Sequence, residues 1–320
     1  MTDCTAAKQG PGGHAEEEQS MTAPAAGSPT DPDGRPDFGG LDLAAVQRIV
    51  YTALGEDLGD PPRDVTSEAT IPADQTDTAE LVARAPGVVA GLPVAAQVFA
   101  ATSGGTAVFE QRADEGARVV RGDVLAVVTG PTRALLTAER TALNLLCRMS
   151  GVATHTRRWA DALAGTKATV LDTRKTTPGL RVLEKYAVRV GGGTNKRMGL
   201  YDVAMIKDNH KLAAGSITAA YRKVRETFPD VPVQVEVTTT AEAVEAVDAG
   251  AGFLLCDNMT PDLLREVVAA VGDRAELEAT GNLTLETVEA YAATGVDYLS
   301  VGGLTHSSPI LDIALDRRAR

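Results

Sequence analysis

Residues 233–258 read VQVEVTTTAEAVEAVDAGAGFLLCDN. A short apolar run, Val233–Val235, closes on Glu236; Ala241–Asp248 follows with apolar residues at helical spacing; a second run, Phe253–Cys256, closes on Asp257. Strand, helix and strand in so short a space make a parallel crossover unit. The same beat extends both ways, with strands predicted at Ala168–Leu171, Val203–Ile206, Ala275–Leu277 and Tyr298–Val301. Helices are predicted between them at Leu180–Val190, Ile217–Glu226, Pro261–Ala270 and Leu285–Ala293. Rhythm alone allows an open doubly wound sheet or a barrel. The polar strand ends decide: Asp172, Lys207, Glu236, Asp257, Glu278 and Gly302 each stand at the close of an apolar run. A barrel brings all such ends to one face, whereas an open sheet brings together only those at its switch point. An α/β protein with a β/α barrel of fewer than eight strands is therefore expected.

Upstream the pattern differs. Residues 1–38 are rich in Gly, Pro, Ala, Ser, Thr and acids, with few large apolar residues, and read as a disordered tail. Leu43, Val46, Val50 and Leu54 mark an amphipathic helix, and Glu56–Pro62 an acidic loop. Strands are expected at Ala79–Arg84, Val88–Ala90, Ala107–Gln111 and Val124–Thr129, and a helix over Arg133–Met149: a small mixed α/β layer. Glu115–Leu125 resembles the turn and strand of a biotinyl or lipoyl carrier, but no hairpin lysine is there to take the cofactor.

Composition narrows the function. Aromatics are 4% of the 320 residues and the net charge is −12, which argues against a nucleic-acid or membrane-surface binder while allowing a local cationic pocket. Cys4, Cys147 and Cys256 have neither zinc-ligand spacing nor an even count, so a reducing cytoplasm is expected. No apolar run reaches the roughly 20 residues of a membrane span, and the N-terminus lacks a signal-peptide layout.

Four motifs carry chemistry. In Asp172–Gly179 two cations, Arg174 and Lys175, follow a strand among the hydroxyls Thr173, Thr176 and Thr177; Arg can grip a carboxylate or phosphate with two hydrogen bonds, and Lys adds a point charge. Gly191–Leu200 places three glycines before Lys196 and Arg197, close to Lys207 on the next strand end. Glu236 and Asp257 suit Mg²⁺ coordination, ribose hydroxyls or a developing cation. Thr280-Gly281 and Gly302-Gly303, with His306 and Ser307, suit a phosphate cradle. Each alone also has a plain structural explanation, as solvated loop charges, a flexible connector or strand-end caps. Together they describe a barrel mouth for a multiply charged phosphate.

The residues Glu139–Asn144, Asp172–Thr176, Met205–His210 and Leu255–Met259, in this order, resemble the quinolinate phosphoribosyltransferase family, over about Leu41 to Asp316. The resemblance implies an N-terminal α/β sandwich domain (39–145, completed by 305–320) packed on an incomplete, TIM-like β/α barrel (146–304). It implies a homodimer or larger homo-oligomer with sites near the interface. It also implies transfer of phosphoribosyl from phosphoribosyl pyrophosphate to quinolinate, with decarboxylation, in NAD biosynthesis. Carried over, Arg174, Lys175, Arg197 and Lys207 bind quinolinate carboxylates and phosphates, and Arg140 reaches the neighbouring subunit's site. Glu236 and Asp257 hold ribose hydroxyls and Mg²⁺-pyrophosphate, while Thr280, Gly281, Gly302 and His306 line the phosphate pocket; Lys175, Lys207, Glu236 and Asp257 are the expected catalytic set, with Thr173 and Lys196 also in substrate binding. Lys196 stands where many relatives carry His, Thr280 where Ser is common, and Arg63-Asp64-Val65-Thr66 where Gly-Asp-Val-Thr is usual. The rivals are a Schiff-base barrel aldolase using Lys207, a non-decarboxylating phosphoribosyltransferase, a carrier-type module and a non-catalytic paralogue.

Overall fold

Helix α1 (Leu43–Leu58) starts at Asp42, whose carboxylate accepts the backbone N–H groups of Ala44 and Ala45. It buries Val46, Val50 and Leu54, as their spacing predicts. The computed structural model describes residues 40–317; the expected tail at 1–38, including Cys4, lies outside the described residues. The acidic loop begins later than expected, because Glu56–Leu58 finish α1 and the turn comes at Gly59, with φ of 71°.

After α1 come α2 (Val65–Thr70), β1 (Thr76–Ala83), β2 (Gly87–Val88), α3 (Leu92–Ser103), β3 (Val108–Gln111), β4 (Arg118–Val119), β5 (Val124–Pro131) and α4 (Thr132–Ala162). Next are β6 (Thr169–Leu171), α5 (Arg181–Val190), β7 (Ala204–Ile206), α6 (Asp208–Ala214), α7 (Ile217–Thr227), β8 (Val233–Val237) and α8 (Thr240–Asp248). The chain ends with β9 (Phe253–Asp257), α9 (Pro261–Val271), β10 (Glu276–Thr280), α10 (Val288–Ala292), β11 (Tyr298–Ser300), α11 (Gly303–His306) and β12 (Ile313–Arg317).

Two large sheets result. An antiparallel one runs β12-β1-β5-β3, so the last strand returns to pair with the first, Leu81 opposite Leu315. In the carrier-like segment Glu115 is structural: its carboxylate accepts the N–H groups of Gly91 and Leu92 at the start of α3 and the Tyr186 hydroxyl.

The second sheet is parallel, with the order β6-β11-β10-β9-β8-β7. That order is the chain order turned into a ring: β7 to β11 follow one another and β6 sits beyond β11. A ladder between β6 and β7 would close the barrel. Instead Thr194 makes a bridge to Leu171, with its N–H on Val170 O at 2.9 Å and its carbonyl taking the Asp172 N–H. The stretch after α5 thus lies along one side of the seam, and the barrel is incomplete.

Helix α4 departs most from expectation, running to Ala162 rather than stopping at Met149. Gly151 does not break it, because the missing side chain is needed: a Cβ there would lie 2.1 Å from Pro309 O and 2.8 Å from Ile310 Cα. The glycine lets the 309–310 backbone press onto the helix.

Candidate active site

One cavity of about 900 Å³ spans the carboxyl ends of the barrel strands. All the expected site residues line it except Arg140, which is exposed on α4.

From the loop after β6 come Thr173, Arg174 and Lys175. The Thr173 hydroxyl accepts the Lys175 N–H at 3.0 Å, turning the chain tightly. Arg181 holds the same loop, donating to the Thr176 hydroxyl (2.9 Å) and, across the mouth, to Met198 O (2.9 Å). Beside the seam, Asp172 and Lys185 form a fully buried ion pair. Burial pushes the Asp172 carboxyl up and the Lys185 ammonium down, each opposed by the other's charge. Their spare hydrogen-bonding capacity pins the next loop: Asp172 accepts the Lys196 N–H at 2.8 Å and Lys185 donates to Lys196 O at 3.0 Å.

The side chain of Lys196 reaches the barrel interior, where Nζ meets Glu278 Oε1 at 2.5 Å; Gln234 donates to the other oxygen at 2.7 Å. Burial pushes this ammonium below the ordinary lysine range, Glu278 opposes the shift, and Arg197 and Lys207 add to it. Arg197 donates to Val203 O at 3.0 Å, and its guanidinium is likewise depressed by burial and by Arg174. Lys207, at the end of β7, lies 3.0 Å from Glu236 Oε2. Among the described residues, no ion pair engages Arg174, Lys175 or Arg197, so three cations face the cavity without a carboxylate partner.

Opposite them, Asn258 Nδ2 donates to Asp257 Oδ2 at 3.0 Å. Asn258 and Asn282 adopt φ of 53° and 50° at the ends of neighbouring strands, a left-handed conformation that asparagine tolerates. Gly281 between them has φ of 99°, and a Cβ there would strike Asn258 Oδ1 at 2.1 Å. Gly302, Gly303 and His306 line the end of the cavity nearest Lys175; Ser307 does not, its hydroxyl pairing instead with His306 Nδ1 at 2.6 Å.

The cavity also recruits residues not anticipated. His155 and Trp159 project from the unexpected last turns of α4, with Trp159 Nε1 donating to His155 Nε2 at 3.3 Å. His155 Nδ1 then donates to the Ser308 hydroxyl (2.8 Å), which donates to Leu304 O (2.6 Å). Burial and Arg158 hold the imidazole below its ordinary pKa, favouring the neutral form. The loop 282–286 also joins the wall, because α10 begins at Val288 and not at Leu285. The i, i+4 spacing of His155 and Trp159 was visible in the sequence; the continuation of the helix was not.

An incomplete β/α barrel whose strand ends gather unpaired cations, the carboxylates Glu236 and Asp257 and glycine turns defines an enzyme class that handles phosphate-bearing anions. Comparison with known proteins narrows this: residues 64–150 match the N-terminal domain, and 152–316 the C-terminal domain, of quinolinate phosphoribosyl transferase, and the chain belongs to that family. The nicotinate-nucleotide pyrophosphorylase [carboxylating] of Mycobacterium leprae is 48% identical over 277 residues, 85% of this chain and 97% of its own. The probable nicotinate-nucleotide pyrophosphorylase [carboxylating] of Bacillus subtilis is 43% identical over 85% of this chain and 93% of its own. The crystal structure of NadC from Streptococcus pyogenes superposes with a TM-score of 0.82 at 36% identity, covering 87% of this chain and 99% of that one.

Proposed function

We propose that this cavity transfers phosphoribosyl from phosphoribosyl pyrophosphate to quinolinate, releasing pyrophosphate and carbon dioxide and leaving nicotinate mononucleotide. The observation that carries this is the trio Arg174, Lys175 and Arg197, cations without carboxylate partners on one cavity. A substrate pair bringing two carboxylates and three phosphoryl groups supplies the missing anions.

In this scheme the C1–oxygen bond of the ribose breaks, its electron pair leaving with pyrophosphate, while Lys175 and its neighbours offset the departing charge. Glu236 and Asp257 face the positive charge that develops at C1 and hold the ribose hydroxyls. The quinolinate nitrogen, oriented by the arginines and Lys207, forms the new bond to C1. The adjacent carboxylate is then lost as carbon dioxide, its electron pair held by the pyridinium ring until a proton replaces it. Gly302, Gly303, Thr280, Gly281 and His306 take the 5-phosphate.

Among the described residues no cluster of three or more His, Cys, Asp or Glu could cage a metal alone. Glu236 and Asp257 fit a Mg²⁺ ion that keeps most of its ligands from water and pyrophosphate. Bound there, Mg²⁺ would supply charge neutralisation for the leaving group.

We further propose a homodimer in which Arg140 serves the partner's site, a division of the chain at 39–145 with 305–320 and at 146–304, and a cytoplasmic location. No helix among the described residues is long and apolar enough to cross a membrane. A Schiff-base role for Lys207 finds no support, since its ammonium is engaged by Glu236. The test is incubation with quinolinate, phosphoribosyl pyrophosphate and Mg²⁺, following carbon dioxide and nicotinate mononucleotide. Product from nicotinate but not from quinolinate overturns the substrate assignment.

A further inference from the structure

The loop bearing Arg174 and Lys175 is anchored from outside the cavity. Glu184, on α5, is fully buried, and both of its oxygens are taken. Oε2 accepts the Thr177 backbone N–H at 2.9 Å, and Oε1 the Thr177 hydroxyl at 2.7 Å. Arg148, on α4, donates to the same Oε1 through Nε (3.0 Å) and Nη2 (2.7 Å). Its fork also reaches the segment after β11, Nη1 donating to Ser308 O at 2.9 Å and Nη2 to Thr305 O. The circuit closes at the cavity wall, where the Thr305 hydroxyl donates to Lys175 O at 2.9 Å.

Neither Arg148 nor Glu184 lines the cavity. Yet between them they join the loops that leave two neighbouring strands, β6 and β11. Leu304 and Leu311 bury the segment after β11 in the core, while the polar run Thr173–Thr177 is tied to it by these hydrogen bonds. The planar guanidinium suits the task, since its donors point in fixed directions and can hold a carboxylate and two carbonyls together. We infer that the Arg148–Glu184 pair is a positioning device, fixing the Arg174–Lys175 loop against the Gly302–His306 turn so that both meet the phosphate groups of one substrate. The inference rests on the phosphoribosyl-transfer reading above. Displacing such supports by a fraction of an ångström weakens a site without touching its contacts.

Three full-length variants test this: Glu184→Gln, Arg148→Lys, and Arg148→Met combined with Glu184→Gln, which leaves no unpaired buried charge. Each is measured for melting temperature, for affinity toward Mg²⁺-pyrophosphate by calorimetry, and for kcat and KM with phosphoribosyl pyrophosphate. The expected result is folded protein whose pyrophosphate affinity falls, and whose KM rises, by roughly tenfold or more, with a smaller loss in kcat. Arg148→Lys should recover only part of the loss. A folded Glu184→Gln or paired variant with both values within about twofold of wild type overturns the proposal. Failure of both to fold also overturns it, because the pair would then serve stability alone. Wild-type protein that binds pyrophosphate but makes no nicotinate mononucleotide would sink the substrate assignment instead, and the pyrophosphate titration would still decide the role of the pair. Wild-type protein that binds no pyrophosphate overturns both.

Discussion

Lys196 faces the cavity already partnered, its Nζ 2.5 Å from Glu278 Oε1 on the far side of the barrel interior. Glu278 is fully buried, so removing the lysine strands a carboxylate in the core. Lys196→Met should destabilise the protein by about 3–5 kcal/mol, and adding Glu278→Gln should restore most of it. Equilibrium urea unfolding of the single and double variants measures both; equal stabilities would disprove the coupling.

Arg174 and Lys175 face the cavity on different terms from Lys196, having no carboxylate partner, and Lys207 is half-exposed beside Glu236 where Lys196 is largely buried against Glu278. Lys175→Ala and Lys207→Ala should each lower kcat/KM by roughly 10²–10³. Lys167→Ala, which loses only an exposed pair with Asp297, should leave it unchanged. Steady-state kinetics on the three proteins settle the contrast, and near wild-type rates at Lys175 or Lys207 would remove them from the site.

His155 gives the fold an acid-sensitive element. Its pKa in the folded protein lies below the ordinary 6.5, so the unfolded chain takes up a proton that the folded one refuses. The stability linked to neutral His155 is therefore complete above pH 6.5 and is lost as pH falls through the folded value. Wild type should lose melting temperature below that point more steeply than His155→Gln. Trp159, the only tryptophan in the chain, donates to His155 and should report the protonation as a fluorescence change. Identical pH profiles for the two proteins would remove His155 as the cause.

Gly151 is required by contact, not by backbone conformation. Gly151→Ala should cost about 1–3 kcal/mol, since the new methyl meets the Pro309 carbonyl. Gly165→Ala, with open space around it but φ of 82°, should cost less. Thermal unfolding ranks the two, and the reverse order would refute the close approach of helix and C-terminal segment.

Arg140 lends itself to a complementation test. If it serves a neighbouring subunit, mixing inactive Arg140→Ala with inactive Lys175→Ala should restore roughly a quarter of the sites, because half the dimers are mixed and each has one intact site. Activity that stays at the level of the separate variants would place Arg140 outside catalysis in trans.

The parallel sheet was legible because its signal is local: short apolar runs, each ending in a polar residue, alternate with helices of plain period. The cationic loops were legible for the same reason, with Arg174-Lys175 and Lys196-Arg197 sitting beside turn residues. The full length of α4 was not, since Ser150-Gly151 reads as a stop and only its contact with Pro309 explains the glycine. Nor could sequence tell which cations are neutralised: Glu278 is 82 residues from Lys196, and nothing near either residue announces the other. His155 and Trp159 were missed with the helix that carries them.

The seam of the barrel has a consequence for how such a site can change. At position 196 the backbone N–H and carbonyl are held by Asp172 and Lys185, and neither bond depends on the side chain there. The backbone path at this point is thus set independently of the side chain, whose own tie to the scaffold is the pair with Glu278. A lineage that changes residues 196 and 278 together can alter what looks into the cavity while the backbone at the seam stays as it was, which makes this pair a place where substrate preference can drift without a new fold.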